Sequence, residues 1–160
     1  MAGEVRIESA TVHDVPLLLS LIRGLAEYER MSDEVLATDT RLRDSLFGSR
    51  PWAEAVIARI DGEAVGFALW FHNYSTFLAQ PGLYLEDLFV LPEWRGRGVG
   101  VALLRHLARI AIARDCGRME WSVLNWNEPA IGFYRRIGAR PMDEWTVYRL
   151  TGEDIRNLAT

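Results

Sequence analysis

Lysine is absent from this chain, and cysteine occurs only once. All 18 basic residues are arginine, so the protein has no lysine amine for Schiff-base catalysis, and the lysine-dependent Walker phosphate loop is excluded. The single cysteine, Cys116, rules out a disulfide within the chain and favours a reducing compartment. It stands just before Gly117, and we interpret it as a structural residue ahead of a helix-ending glycine rather than an acyl carrier.

The chain also lacks net positive charge and long apolar runs. The formal net charge of −4 argues against nucleic acid as the main partner, because phosphate binding needs clustered positive charge, and it favours a cationic substrate. No apolar run approaches the ~20 residues of a membrane span, and the N-terminus lacks a signal-peptide pattern, so we expect no membrane partner and a cytoplasmic location. The three histidines lack metal-ligand spacing, and we expect no metal.

The order of apolar patterns predicts one α/β domain over residues 1–160, with a meander of strands followed by alternating strands and helices. A capping box at Thr11–Asp14 starts a helix that runs to about Tyr28, and Asp61-Gly62 predicts a tight hairpin turn. The other predicted elements are a first strand at Val5 and Ile7, a helix at 38–47, strands at 55–60, 64–71 and 83–91, a long helix from Gly100, a fifth strand at 119–124, a helix at Pro129, a last strand at 146–150 and a short helix from Glu153.

A glycine-rich turn, Arg95-Gly96-Arg97-Gly98-Val99-Gly100, lies between an apolar strand and an amphipathic helix. Its glycines let the backbone approach a ligand closely, and the first N–H groups of the helix favour negative charge, so the turn suits a pyrophosphate. Glycines at 96, 98 and 100 do not fit the spacing of the dinucleotide-binding fingerprint. Taken alone, the turn equally fits a helix that must start tightly against a sheet.

A second motif follows the turn, and the two motifs together are more specific than either one alone. The turn reads Arg-x-x-Gly-x-Gly, and Asn127-Glu128-Pro129-Ala130-Ile131-Gly132-Phe133-Tyr134 comes later, followed by Gly138-Ala139. Together they resemble the acyl-CoA loop and second signature of the GCN5-related N-acetyltransferase (GNAT) superfamily. Within it, Tyr84–Asp87 and Ala26–Glu29 resemble the spermidine/spermine N1-acetyltransferase (diamine acetyltransferase) and thialysine Nε-acetyltransferase group. The segment His72–Phe77 looks more like the thialysine branch.

This resemblance implies a mixed central β-sheet flanked by helices, acetyl-CoA as co-substrate, a small-molecule amine as acceptor and a homodimer. The cofactor-binding residues that it implies are Leu88, Phe89, Val90, Arg95, Gly96, Arg97, Gly98, Val99, Gly100, Val101, Asn127, Pro129 and Ala130. The amine-binding residues that it implies are Tyr28, Glu29, Glu86, Asp87, Glu120, Trp121 and Ser122. Asn127 also fits the N-cap of the helix that follows it.

Acetyl transfer to an amine needs a neutral amine and a proton for the departing thiolate. Presenting a lysine-like amine neutral at pH 7 costs about 4.6 kcal/mol, and Glu86 on the central strand is the candidate base, acting through water. Regular strand geometry would turn Asp87 to the opposite face from Glu86. Tyr134 is the candidate acid. The structural alternatives are a salt bridge for the carboxylates and core packing for Tyr134.

The sequence thus predicts direct, sequential transfer of acetyl from acetyl-CoA to a primary amine of a small polyamine or lysine-like diamine. Two alternatives stay open at this stage. One is an enzyme of the same fold that acts on a protein N-terminus or another amine. The other is a non-catalytic acyl-CoA sensor, which would need the glycine turn but neither Glu86 nor Tyr134.

Overall fold

The computed structural model describes residues 3–160 of the chain. Contacts divide it into two compact units, with the boundary between Ser122 and Val123. The first unit holds the elements β1 (Val5–Ser9), α1 (Val15–Tyr28), α2 (Asp39–Phe47), β2 (Glu54–Ile60), β3 (Glu63–Ser75), β4 (Gln80–Val90), α3 (Val99–Ala113) and β5 (Met119–Glu120). The second unit holds α4 (Glu128–Arg136) and α5 (Gly152–Leu158). The expectation of a single domain over the whole chain stays a prediction.

The five strands of the first unit form one sheet in the order β1-β2-β3-β4-β5. Neighbours from β1 to β4 run antiparallel, as the predicted meander requires, and β5 pairs parallel to β4. This is the mixed α/β sheet that the sequence predicts. Helix α3 returns the chain so that β5 runs in the same direction as β4, and the glycine turn lies between the end of β4 and α3.

Local signals in the sequence fix several element boundaries. The Asp14 carboxylate accepts a hydrogen bond from the Thr11 backbone N–H at 2.8 Å, and α1 ends at Tyr28 as expected. Asp61 and Gly62 both have positive φ, +50° and +82°, which is the signature of the predicted hairpin turn between β2 and β3. The Thr38 hydroxyl caps α2 by accepting from the Arg41 N–H at 3.2 Å.

The core of the first unit lies on both faces of this sheet. On one face, α1 and α2 bury Leu18, Leu21 and Leu46 against Phe67 and Phe89. Helix α3 supplies a second apolar stripe at helical spacing, made of Val99, Leu103, Leu104, Leu107 and Ala111. With core on both faces, the middle strands are held rigidly, so side chains at the ends of β4 have a fixed position.

One irregularity in β4 overturns the expected alternation of side chains. Leu69 pairs with Asp87 and Trp70 pairs with Leu85, so Glu86 has no partner residue in β3. An extra residue of this kind is a β-bulge, which bends the strand and breaks the two-residue period. The expectation that Asp87 turns away from Glu86 assumed an unbroken strand, and the register shift removes that assumption.

Two predicted strands also differ from the structure. The fifth strand covers only Met119–Glu120 and does not continue to Leu124. Residues 146–150 form no strand, and Val147 and Tyr148 are 82% and 93% exposed. Their alternating pattern has β propensity, but a strand needs a paired neighbour, and propensity alone does not supply one. The short C-terminal helix is confirmed as α5.

Candidate functional site

The glycine turn has the geometry of an anion-binding loop. Gly96 and Gly98 have φ of +74° and +80°, and Gly98 immediately precedes the first turn of α3. The first N–H groups of α3 have no partner within the helix and carry the positive end of its dipole. Arg97 stacks on Trp94, with its guanidinium carbon 4.8 Å from the ring centroid.

Gly100 shows that this loop leaves room for a ligand. It lies inside α3, where glycine costs roughly 0.5–1 kcal/mol relative to alanine, yet a methyl group added there would meet no protein atom within 4 Å. Methyl groups at Gly96 and Gly98 would also point into open space. Protein packing does not explain glycine at position 100, whereas a ligand seated against the turn does. Val99 is buried beneath the loop, and Val101 follows in the same helical turn.

Strand β4 offers a free backbone edge next to this loop. Its pairing with β5 covers only Leu83 and Tyr84, and within residues 3–160 no other strand pairs with Leu88, Phe89 or Val90 on that side. The amides and carbonyls of this edge are available to a ligand that carries amide groups of its own. The predicted cofactor-binding residues of β4 therefore continue directly into the anion loop.

Three carboxylates come together beside this edge: Glu29, which follows α1, and Glu86 and Asp87 on the bulge. Burial raises the pKa of Asp87 to about 7, and the negative charges of Glu86 and Glu29 add to the shift. Burial also raises the pKa of Glu29, with a further contribution from Glu86. None of the three forms an ion pair with another residue in the described range 3–160. The salt-bridge alternative for these carboxylates is therefore not what the structure shows.

This acidic cluster, defined as Glu29, Glu86 and Asp87, has no ion-pair partner among residues 3–160. Like charges held together raise each other's pKa values, and a bound cation would lower them. Exposed Glu86 faces solvent, while Asp87 and Glu29 are partly buried. A dicationic or cationic amine is the ligand that such a cluster favours.

The other predicted amine-binding residues of the first unit are engaged in a second network. The Glu120 carboxylate lies 3.1 Å from Arg118 Nε and accepts from Asn73 Nδ2 at 3.4 Å. Ser122 Oγ and the Tyr84 hydroxyl are 2.9 Å apart. Trp121, between these positions, is partly buried. The charge of Glu120 is therefore balanced within the protein, unlike that of the acidic cluster.

Sequence reasoning missed two features of this region. It did not predict that Asn73 and Tyr84 contact the segment that follows α3, although both residues lie in segments that carry the resemblance. It also assigned Arg95 to the anion loop alone. In the structure the Arg95 guanidinium carbon lies 4.6 Å from the Tyr28 ring centroid and 5.6 Å from that of Phe89.

The second unit carries the other motif on α4. The Asn127 side chain caps this helix by accepting from the Ala130 N–H at 3.4 Å, as predicted, and Pro129 lies in its first turn. Tyr134 is partly buried, and its ring centroid lies 5.6 Å from that of Phe133. The capping bond fixes the start of the helix and hence the helical position of Tyr134.

Among residues 3–160, no group of three or more histidine, cysteine or acidic side chains is arranged to hold a metal ion. In the same range, no helix combines the length and apolar character that crossing a membrane requires.

Comparison with known proteins places this geometry in a family. The profile of the acetyltransferase (GNAT) family matches residues 20–139. A thialysine N-epsilon-acetyltransferase from Bos taurus is 37% identical, over 97% of this chain and 97% of its own. An L-ornithine N5-acetyltransferase from Arabidopsis thaliana is 31% identical, over 96% of this chain and 87% of its own.

A solved structure has the same fold. An integron cassette protein from the mobile metagenome of V. cholerae superimposes with a TM-score of 0.81 at 29% identity, covering 97% of both chains. The family profile, the curated relatives and the fold all agree with the two motifs and with the open space at the glycine turn. The chain belongs to the acetyltransferase (GNAT) family, and it is an acetyl-CoA-dependent N-acetyltransferase.

Proposed function

We propose that this protein transfers acetyl from acetyl-CoA to a primary amine of a small diamine, of the thialysine, ornithine or polyamine type. The observation that carries the proposal is the acidic cluster, whose three carboxylates influence one another's charge and form no ion pair among residues 3–160. A diamine supplies one amine to be acetylated and a second positive charge to be held. The named substrates of the similar enzymes, thialysine and L-ornithine, have this chemistry.

The residues present fit acetyl-CoA. The turn from Gly96 to Gly100 would hold the pyrophosphate with backbone N–H groups, and the free β4 edge at 88–90 would bond the amides of the pantetheine arm. In this proposal a backbone N–H group on that edge would also polarise the thioester carbonyl. When bound, acetyl-CoA supplies an activated thioester carbonyl.

Glu86 is the proposed proton acceptor. It lies on the bulge, exposed to solvent and beside two further carboxylates, so it can take the proton of an incoming ammonium through a water molecule. Because Asp87 has a pKa of about 7, the cluster reaches its full negative charge only above neutral pH. The rate at low amine concentration should therefore rise as the pH passes through about 7.

Tyr134 is the proposed acid for the departing thiolate. Replacing it by phenylalanine removes the hydroxyl donor but keeps the ring, so we expect kcat to fall roughly 10²-fold with acetyl-CoA affinity little changed. Steady-state kinetics and calorimetric titration with acetyl-CoA measure the two quantities. Phe133→Leu is the matched control, since it alters ring packing on the same helix and leaves the hydroxyl in place. A wild-type kcat in Tyr134→Phe, with chemistry rate-limiting, would make Tyr134 a packing residue.

A panel of amines tests the proposed reaction directly. Thialysine, L-ornithine, L-lysine, spermidine, putrescine and a peptide with a free N-terminus are each incubated with acetyl-CoA, and release of free thiol is followed. We expect the diamines to be acetylated and the peptide to be a poor acceptor. Preference for the peptide would favour the protein N-terminus alternative, and acetyl-CoA binding without turnover of any amine would favour the sensor.

Three further expectations belong to this proposal. We propose a single domain, a cytoplasmic location and a homodimer, each in keeping with the resemblance. Sedimentation at micromolar concentration tests the last of these, because a single species near the chain mass of 18.2 kDa would contradict a dimer.

A further inference from the structure

Arg95 begins the glycine turn, but its side chain points to the end of α1. Its Nε donates a hydrogen bond to the Val90 carbonyl oxygen at 3.0 Å. Its guanidinium carbon lies over the Tyr28 ring at 4.6 Å and near the Phe89 ring at 5.6 Å. Together these three contacts hold the Arg95 side chain against β4 and the end of α1.

These contacts connect two elements that carry the acidic cluster. Tyr28 is the last residue of α1 and directly precedes Glu29. Val90 is the last residue of β4, three positions after Asp87. The Arg95 side chain therefore joins the segment that bears Glu29 to the strand that bears Asp87.

Phe89 is also packed against the helix. A methyl group added at Gly24 of α1 would lie 3.0 Å from Phe89 Cε1, so the helix backbone lies close to this ring. Phe89 is 4% exposed. The packing of α1 thus holds the ring in place, and the ring offers Arg95 a fixed surface.

Arg97, two residues further on, makes a different contact. Its guanidinium carbon lies 4.8 Å from the ring of Trp94, which belongs to the same loop. Arg97 thus stays with the loop, whereas Arg95 contacts α1 and β4.

We propose that Arg95 is a positioning residue of the amine site, which holds Tyr28 and Glu29 against the end of β4 so that the acidic cluster stays assembled. This inference rests on the function proposed above and assigns Arg95 to the amine rather than to the pyrophosphate. Arginine suits this role because its planar guanidinium can stack on a ring while Nε donates in the plane of the group, which a lysine ammonium does not do.

The direction in which the KM of the amine changes distinguishes a positioning role of Arg95 from a purely electrostatic one. Removing one positive charge from the segment that adjoins the amine site would by itself strengthen the attraction for a cationic amine and lower its KM. Loss of positioning should raise that KM instead. We expect Arg95→Ala and Arg95→Lys each to raise the KM of the best diamine about tenfold, while the dissociation constant of acetyl-CoA stays within about twofold.

Arg105→Ala is the matched control for the loss of one charge. Arg105 is exposed on α3 outside the loop, and this variant should leave the KM of the diamine unchanged. A weaker affinity for acetyl-CoA in Arg95→Ala that lysine restores would assign Arg95 to the pyrophosphate and overturn the proposal. An unchanged KM in both Arg95 variants would overturn it as well.

A double-mutant cycle keeps the test independent of turnover. Phe89→Leu removes the ring below Arg95 and keeps an apolar strand residue, so the effects of Phe89→Leu and Arg95→Lys on unfolding free energy should be non-additive. If no amine is acetylated by the wild type, the proposed function fails. The Arg95 assignment is then still decided, by this coupling together with the calorimetric affinity for acetyl-CoA: additive effects or weakened affinity would overturn it.

Discussion

Two carboxylate sites on the same sheet have opposite electrostatics. At the start of β2, the Glu54 carboxylate receives two hydrogen bonds from Arg114, at 2.5 Å and 2.9 Å. These bonds, together with the positive charges of Arg114 and His72, lower the pKa of Glu54. On the bulge of β4, burial and neighbouring carboxylates raise the pKa of Asp87 to about 7.

The difference separates a structural carboxylate from one that is arranged for a ligand. Glu54 has its cation within the protein, so its charge contributes to holding the end of α3 against β2. The acidic cluster carries unbalanced charge, which costs folding stability and is retained where a cationic ligand completes it.

The largest expected effect is on catalysis by Glu86→Gln. Loss of the proton acceptor should lower kcat/KM for the best diamine by about 10²- to 10³-fold at pH 7. The deficit should shrink toward pH ~10, where most of the amine is already neutral. A pH profile of initial rates measures this, with Glu54→Gln as the control that stays within about twofold of wild type. An equal loss of kcat/KM at all pH values would show that Glu86 takes no part in proton transfer.

Asp87→Asn should stabilise the fold at high pH. The raised pKa means that the folded protein binds more protons than the unfolded chain between about pH 4 and pH 7, so wild-type stability falls as the pH rises through that range. At pH 8 the neutral variant should be more stable by about 2–4 kcal/mol. Urea unfolding at pH 8 and pH 4 tests this, because the two proteins should differ little at pH 4. A variant less stable than wild type at pH 8 would contradict the unbalanced charge.

The smallest effect is expected for Glu54→Gln. Both partners of this ion pair are partly exposed, so solvent screens it, and its loss should cost about 1 kcal/mol at pH 7. The pKa of Glu54 is lowered in the folded state, so its contribution is present above about pH 4.5 and is lost as the pH falls further. Thermal unfolding across this range measures it. If Glu54→Gln is more stable than the wild type at pH 7, the ion pair destabilises the fold.

The contrast between these two sites could not be obtained from the sequence. Local chemistry predicted what depends on neighbours in the chain, such as the capping box at Thr11–Asp14 and the turn at Asp61-Gly62. The glycine loop and the Asn127 cap were predicted in the same way. These features are decided by the residues that form them.

Features that depend on distant residues were missed or wrong. The bulge at Glu86 depends on the register between β3 and β4, which the alternation of apolar residues does not reveal. The stacking of Arg95 on Tyr28 joins residues far apart in the chain. The predicted strand at 146–150 has the right composition but no partner strand in the structure, because pairing is a property of the fold rather than of the segment.

The bulge has a consequence for a deletion of Glu86. Leu85 pairs with Trp70, Asp87 with Leu69 and Leu88 with Ala68, so the registers on either side of Glu86 already join without it. A deletion of that single codon would leave each residue of this stretch of β4 with a partner residue in β3. It would also leave one carboxylate in β4 where there were two. A deletion usually disrupts a central strand. Here we expect it to keep the strand and to change only the carboxylates of the site.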